Sequence, residues 1–221
     1  MQKKLDITVI ILTYNEQLHL GRCIKSVKKF VKQVIVIDSH SNDKTLEICK
    51  KYKVRIYKNK FINQAIQMNW ALKNVNIQSK WIFRIDADEI TDKFFFYKIK
   101  DIIINNKNIS GIIIKRKIKF LNKLINYGLT SPHKTLRIWK NKKGKYQKIS
   151  VDEQVEVKGK IVLCEAIIVD HNLNSFSWWL NKHRNYALRE AESYFLYKKN
   201  FNNKRIHNQD YSKIRQIKKH K

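Results

Sequence analysis

The 221-residue sequence predicts an α/β fold: a mostly parallel sheet with helices on both faces, completed by a smaller antiparallel C-terminal part. Three observations predict it. Short apolar runs alternate with amphipathic stretches over residues 1–92. Each of those runs stops at a polar or acidic cluster. After Asp92 the pattern changes to stretches that alternate Ile with Lys or Arg, as strands with one wet face do.

The elements follow in order. Ile7–Leu12 is continuously apolar, so it reads as a strand buried on both faces, and it ends at Thr13-Tyr14-Asn15-Glu16. Leu20, Ile24, Val27 and Val31 recur at helical spacing. Val34–Ile37 is a second buried strand ending at Asp38. The polar turn Ser39–Asp43 follows, with Ser41 or Asn42 as cap of a helix carrying Leu46 and Cys49. Val54–Tyr57 is a third strand. Ala65, Met68, Leu72 and Val75 mark a third helix. Trp81–Ile85 is a fourth strand, stopping at Asp86, Asp88 and Glu89. Phe94–Ile104 is helical. Gly111–Phe120, Thr135–Trp139, Val151–Val157 and Ile161–Val169 read as strands of the antiparallel part. A helix from about Phe176 to Tyr197, capped by Ser175, carries Phe176, Leu180, Ala187, Ala191 and Tyr194 on its apolar stripe. The tail from Asn202 is polar and basic.

Composition narrows the class. Hydrophobic content of 43% and aromatic content of 11% build a sizeable core, and one Pro with five Gly argues against a turn-rich sandwich and against disorder. The net charge of +29 attracts polyanions: nucleic acid, anionic lipid or phosphorylated substrates. Cys23, Cys49 and Cys164 are odd in number and widely spaced, which signals neither a disulfide framework nor a zinc site. Reduced thiols in the cytosol are the expectation. The N-terminal apolar run is broken by Asp6 and Thr8, unlike a secretion signal, and no run reaches membrane-spanning length.

The chemistry gathers at the strand ends. In a parallel sheet ligands bind outside the carboxyl ends of the strands, so Thr13–Glu16, Asp38–Asp43 and Asp86–Glu89 share one edge. Carboxylates two residues apart on a buried strand end suit a hard divalent cation that keeps positions open for phosphate oxygens. The competing reading is an acidic turn in which Asp88 or Glu89 caps the next helix. The two other polar turns on the same edge favour the metal.

In order and spacing, three stretches resemble the successive signatures of family-2 glycosyltransferases with the GT-A (Rossmann-like) fold: Val9–Glu16 (V-I-I-L-T-Y-N-E), Val36–Thr45 (V-I-D-S-H-S-N-D-K-T) and Arg84–Glu89 (R-I-D-A-D-E). Val151–Val155, Asp170-His171 and Trp179–Ala191 are similar to bacterial members that build lipopolysaccharide core or surface polysaccharide. The resemblance implies an inverting transfer of a sugar from a nucleotide diphosphate sugar to a hydroxyl, with Mn²⁺ or Mg²⁺ as cofactor. It implies a UDP-sugar as first choice of donor and a glycan or glycolipid as acceptor. It places Thr13, Asn15, Glu16, Asp38, Gln64, Asn69, Arg84 and Asp86 on the nucleotide-sugar, and Asp88 with His171 on the metal. Asp152 and Glu153 are the candidate bases; neighbours on a strand face opposite ways, so one of them faces the cleft. Glu89 is assigned a supporting or capping role. Two departures stand out: the family's usual Asp-Asp-Gly-Ser is Asp38-Ser39-His40-Ser41 here, and its Pro before the Thr is Leu12.

The expected organisation is one domain over residues 1–200. Residues 1–92 form the nucleotide-sugar half, residues 93–200 the acceptor half with the C-terminal helix, and 201–221 a basic tail. Trp178, Trp179, Lys182, His183, Arg184 and Arg189 suit an acceptor site or an anionic membrane surface, which puts the protein in the cytoplasm at the inner face of the membrane. The alternative is a basic nucleic-acid-binding protein without catalytic activity. Four acids on one sheet edge argue against it, and no specific nucleic acid is expected as partner.

Overall fold

The computed structural model describes residues 3–128, 131–147 and 155–203. It forms two compact units, Met1–Leu173 and Asn174–Lys221. In the first, β1 (Leu5–Thr13), α1 (Leu20–Lys28), β2 (Val31–Asp38), α2 (Thr45–Lys51), β3 (Arg55–Lys58), α3 (Gln64–Asn74) and β4 (Trp81–Asp86) alternate as expected. Then come β5 (Glu89–Ile90), α4 (Lys93–Asn105), β6 (Ile109–Phe120), β7 (Lys123–Leu124), β8 (His133–Lys140), β9 (Gly144–Tyr146), β10 (Val155–Val157) and β11 (Lys160–Asp170).

The large sheet runs β3-β2-β1-β4-β8-β6-β11-β5, with β7 added on β6; β9 and β10 pair separately. From β3 to β4 every pairing is parallel. β8 enters antiparallel between β4 and β6. The second half is not uniformly antiparallel, because β11 lies parallel to β6, interrupted by register shifts.

Period-two alternation sends side chains into two cores. Val9, Ile11, Val36, Phe83 and Ile85 join α1 and α4 on one face. Ile10, Ile35, Ile37 and Ile82 join Ala65, Met68 and Ala71 of α3, with Trp139 and Tyr146, on the other. Helices therefore cover both faces.

Two local expectations are corrected. Val31 does not continue α1; it begins β2, paired with Leu5, and the helix has already ended at Lys28. Neither Ser41 nor Asn42 caps α2. Lys44 holds the cap position, and Asp43 Oδ1 accepts from the Thr45 N–H at 2.9 Å, while Ser41 and Asn42 bond to Asn15. Asp92 caps α4 by accepting from Phe95 N–H at 2.8 Å, the role that a capping reading would give to Asp88 or Glu89.

The second unit contains α5 (Phe176–Asn203), with Ser175 Oγ accepting from Trp178 N–H at 3.2 Å. Along it the rings of Phe176 and Trp179 stack, His183 lies tilted on Trp179, and Tyr186 meets His183 edge to face. Lys182 lies over both Trp178 and Tyr186, and Trp178, Leu180, Leu188 and Phe195 are exposed. No helix of the described residues is long and apolar enough to cross a membrane.

Candidate functional site

The carboxyl ends of β1, β2 and β4 lie side by side, since Thr13 is in register with Asp38 and Leu12 with Asp86. Asp38 is fully buried, and three donors satisfy it. Thr13 O–H donates to Oδ1 at 3.2 Å, Ser41 N–H to Oδ2 at 2.9 Å and Ser41 O–H to Oδ1 at 2.5 Å. The turn closes with His40 at φ 61°, at the place where the family's usual sequence has Gly. A left-handed non-glycine residue costs roughly 1–2 kcal/mol, so the turn geometry survives the substitution at a local penalty. Asn15 is also left-handed, at φ 55°, which Asn tolerates better than most residues.

The two turns then cross-link. Asn15 N–H donates to Ser41 Oγ and Asn42 N–H to Asn15 Oδ1. Glu16 N–H donates to Thr45 Oγ1, and Gln17 N–H to Asp43 Oδ2. α3 joins from the other side: buried Gln67 donates to Ser39 Oγ at 3.1 Å and exchanges bonds with Asn59. Gln64 is half-buried at the start of α3. Asn69 uses both ends of its amide on the backbone of Tyr146, which docks β9 against α3.

The end of β4 is built differently. Arg84 and Asp86 share a face of the strand, and Arg84 Nη2 meets Asp86 Oδ1 at 2.6 Å. The register Ile82↔Trp139, Phe83↔Ile138 brings Arg137 of β8 opposite Arg84. Its Nη2 donates to Asp86 Oδ2 at 3.2 Å and to Glu89 Oε1 at 2.8 Å. Glu89, 1% exposed, accepts from Asp86 N–H through its other oxygen at 2.8 Å. Burial pushes the Asp86 carboxyl up, but Arg84 and Arg137 outweigh it and hold the group well below the usual carboxylate range. Burial also pushes Glu89 up, to about 7, against the opposing pull of Arg137. Arg84 Nε and Arg137 Nε and Nη1 are buried without a hydrogen-bond partner, donors suited to an incoming anion.

Asp88 sits in the turn between β4 and β5. β5 pairs with the end of β11, Glu89 opposite Asp170, so β11 returns to this spot. His171 N–H donates to Asp88 O at 3.0 Å, and Asn172 Nδ2 to Asp88 Oδ2 at 3.1 Å. Asp88 and His171, read as metal residues from the sequence, are thus neighbours. Arg22 of α1 stands between: its Nη1 donates to His171 Nδ1 at 2.9 Å, and it also bonds His171 O. An arginine is only a donor, so Nδ1 accepts and a neutral His171 carries its proton on Nε2. Burial, then Arg22, lowers the His171 pKa. A second bridge ties the same segment to the first loop: His19 Nδ1 bonds Glu16 Oε2 at 2.6 Å, and its Nε2 accepts from Leu173 N–H at 2.9 Å.

A hard divalent cation fits this donor set. Half-buried Asp88 offers carboxylate oxygen that takes a single hydrogen bond among the described residues, from Asn172. No group of three or more His, Cys, Asp or Glu among the described residues could hold a metal by itself. Mg²⁺ and Mn²⁺ are typically held by one or two carboxylates plus substrate phosphates and water, which needs no protein cage. Asp152 and Glu153 lie outside the described residues. Sequence reading missed Arg137, Arg22 and His19. Only His19 left a signal, its spacing of three from Glu16 at the start of a helix.

Comparison with known proteins agrees with this architecture. Residues 8–156 match the model of glycosyl transferase family 2. A lipopolysaccharide core biosynthesis glycosyltransferase of Rhizobium meliloti is 28% identical over 66% of this chain, which spans 55% of that protein. An uncharacterized glycosyltransferase of Rickettsia typhi is 24% identical over 90% of this chain and 72% of its own length. The crystal structure of Staphylococcus aureus TarS 1–349 in complex with UDP-GlcNAc superposes with a TM-score of 0.56, covering 78% of this chain and 60% of that one at 19% identity. The chain has the GT-A fold and belongs to glycosyl transferase family 2.

Proposed function

We propose that the chain transfers a sugar, with inversion, from a nucleotide diphosphate sugar to a hydroxyl of a lipopolysaccharide or surface-polysaccharide acceptor. One observation carries the reading. Thr13, Asp38 and the Asp86–Asp88 pair converge on the carboxyl ends of three adjacent parallel strands, where such sheets bind ligands. The relative in Rhizobium meliloti, named for lipopolysaccharide core biosynthesis, supports the acceptor class. The neighbour crystallised with UDP-GlcNAc supports a UDP-sugar as donor. Family membership favours this reading over the nucleic-acid-binding alternative.

In this reading Thr13, Asn15, Glu16 and Asp38 hold the nucleoside, with Gln64 approaching from α3, while Asn69, expected there too, spends its amide on the Tyr146 backbone. Arg84 positions Asp86, and Asp86 faces the ribose. Asp88 would hold Mn²⁺ or Mg²⁺, and His171 would contribute a ring nitrogen if Arg22 gave it up. The cation, when bound, neutralises charge developing on the departing nucleoside diphosphate. Asp152 or Glu153 takes the proton of the acceptor hydroxyl on the face opposite the leaving group. The exposed aromatic residues of α5 beside Lys182, together with the +29 charge, support peripheral contact with the anionic inner face of the cytoplasmic membrane.

The test is a thermal-shift screen of nucleoside diphosphates with and without Mn²⁺. UDP with Mn²⁺ raises the midpoint, and Asp88→Asn abolishes the Mn²⁺-dependent part while lowering sugar transfer by roughly 10²–10³-fold. Stabilisation by no nucleotide, with Asp88→Asn indistinguishable from the parent, refutes the proposal.

A further inference from the structure

The hairpin of β6 and β7 leaves the sheet beside the candidate site. β6 is level with Asp170 at Ile118, and Asp170 is level with Glu89. From there β6 runs on through Lys119 and Phe120, the chain turns at Leu121-Asn122, and β7 returns. Three residues at about 3.3 Å each carry the turn roughly 10 Å past Ile118. The root of the hairpin is fixed. Ile125 N–H donates to Ile118 O at 2.8 Å. Buried Ser131 accepts from Ile118 N–H at 3.1 Å and donates to Ile125 O at 2.6 Å. Lys117 Nζ donates to Asn126 Oδ1 at 2.9 Å.

The tip is at odds with its own turn. Leu121 and Asn122 are both left-handed, at φ 45° and 62°. A two-residue hairpin turn of this kind favours Asn and Gly. Asn122 suits it; Leu121 does not, because its Cβ crowds the following carbonyl. Packing gives nothing back, since Leu121 is 68% exposed. Leu124, at 42%, and Tyr127, at 89%, follow at intervals of three. A lone exposed apolar side chain is ordinary. Three within seven residues, one of them on a strained backbone, are a concentrated apolar edge. Lys117, Lys119 and Lys123 lie in the same stretch, and Lys117–Gly128 contains no acid. Leucines flanked by lysines match a surface that is anionic outside and apolar within. A glycan or a nucleic acid would use the lysines and leave the leucines in water.

We propose that the β6–β7 hairpin is a lipid-docking element: Leu121, Leu124 and Tyr127 enter the interfacial layer of an anionic bilayer, Lys119 and Lys123 meet its phosphates, and the strand-end cleft is thereby held at the lipid surface. This goes beyond the contact proposed for α5, because the hairpin belongs to the unit that carries the site. Its use, offering a lipid-linked acceptor to the cleft, rests on the transfer reading above; the docking itself does not.

The experiment is flotation of the full chain with vesicles of phosphatidylcholine alone or mixed with an equal part of phosphatidylglycerol. The parent floats with the mixed vesicles, and less so as salt rises. Leu121→Ser/Leu124→Ser weakens partitioning at least tenfold. Lys119→Gln/Lys123→Gln weakens it roughly fivefold for each charge removed, on mixed vesicles alone. Ile104→Ser removes a comparably exposed apolar side chain, 59%, near the end of α4, and leaves flotation unchanged. Leu121→Asn separates docking from packing: it relieves the left-handed strain and raises the thermal midpoint by roughly 2–4 °C, yet weakens flotation. The native cysteines are buried, so a polarity-sensitive dye goes selectively onto Leu121→Cys, where its emission shifts to the blue on mixed vesicles.

A parent that floats with neither vesicle overturns the proposal, as do hairpin variants that float like the parent or an equal loss in Ile104→Ser. A lowered midpoint in Leu121→Asn makes Leu121 a packing residue and overturns it too. So does a parent that is a dimer by light scattering and a monomer as Leu121→Ser/Leu124→Ser, which assigns the tip to a second copy of the chain. Stabilisation by UDP·Mn²⁺ is read on the same proteins. If it persists while docking fails, only this inference falls. If it is absent while the hairpin docks, the function proposed above falls and the docking stands.

Discussion

The two sides of the strand-end cleft are held by opposite means. At the ends of β1 and β2, Asp38 and the turns around it are satisfied by neutral donors close at hand: Thr13, Ser41, and the amides of Glu16, Gln17 and Asn42. At the end of β4, Asp86 and Glu89 are satisfied by arginines, one of them 51 residues further along the chain. The neutral side is many small bonds that can be lost singly. The charged side is few strong ones, each of which leaves a buried charge uncompensated when removed.

Substitutions can break or sharpen that contrast. The largest loss of stability is expected from Arg137→Met, about 3–5 kcal/mol by urea unfolding, because Glu89 is left buried and unpaired. The double variant Arg137→Met/Glu89→Leu recovers most of that loss; equal costs for the single and the double would show that the ion pair is not what matters. On the neutral side, Asp38→Ala removes the acceptor of three hydrogen bonds. It should cost about 1–3 kcal/mol and weaken nucleotide binding in calorimetry, while leaving any Mn²⁺ binding without nucleotide unchanged. A loss as large as that of Arg137→Met would erase the distinction between the two sides.

The smallest effect belongs to Asp43, which bonds the amides of Thr45 and Gln17. Burial pushes its carboxyl up, but the bonds from Thr45 and Gln17 prevail, and its pKa lies below the ordinary 3.8. A lowered carboxyl contributes stability above its unfolded value and loses it as pH falls through the folded one. Asp43→Ala should therefore cost about 1 kcal/mol at neutral pH and nothing once the parent carboxyl is protonated. A cost that persists unchanged into strong acid would assign the effect to packing.

The same contrast decides what could be read from the sequence. The neutral side lies at the ends of apolar runs, where polar clusters announce it, and the register of β1 with β2 and β4 puts Thr13, Asp38 and Asp86 on one edge. Arg84 is assigned to the nucleotide-sugar by resemblance alone, and in the structure it pairs with Asp86. Arg137 was invisible, because its partner depends on the register of β8 against β4, and nothing in T-L-R-I-W-K sets that register. Nothing in the sequence marks Arg22 of α1, because its partner His171 arrives only with the end of β11. Val31 was misread because its spacing extended a helical stripe that Lys28 had already closed. The left-handed turn at His40 was hidden by a residue that does not favour it.

The arginine bridge also has a consequence for the chain as it is made. Asp86 and Glu89 leave the ribosome before the residue that neutralises them, and 51 residues separate Asp86 from Arg137. At about 5–20 residues per second, that is a wait of roughly 3–10 s. For those seconds the first four strands can pair, but the acids at the end of β4 have Arg84 as their sole guanidinium partner from the bridge and must keep their water. The nucleotide half can thus assemble early, whereas the carboxylate end closes after β8 has been synthesised and inserted.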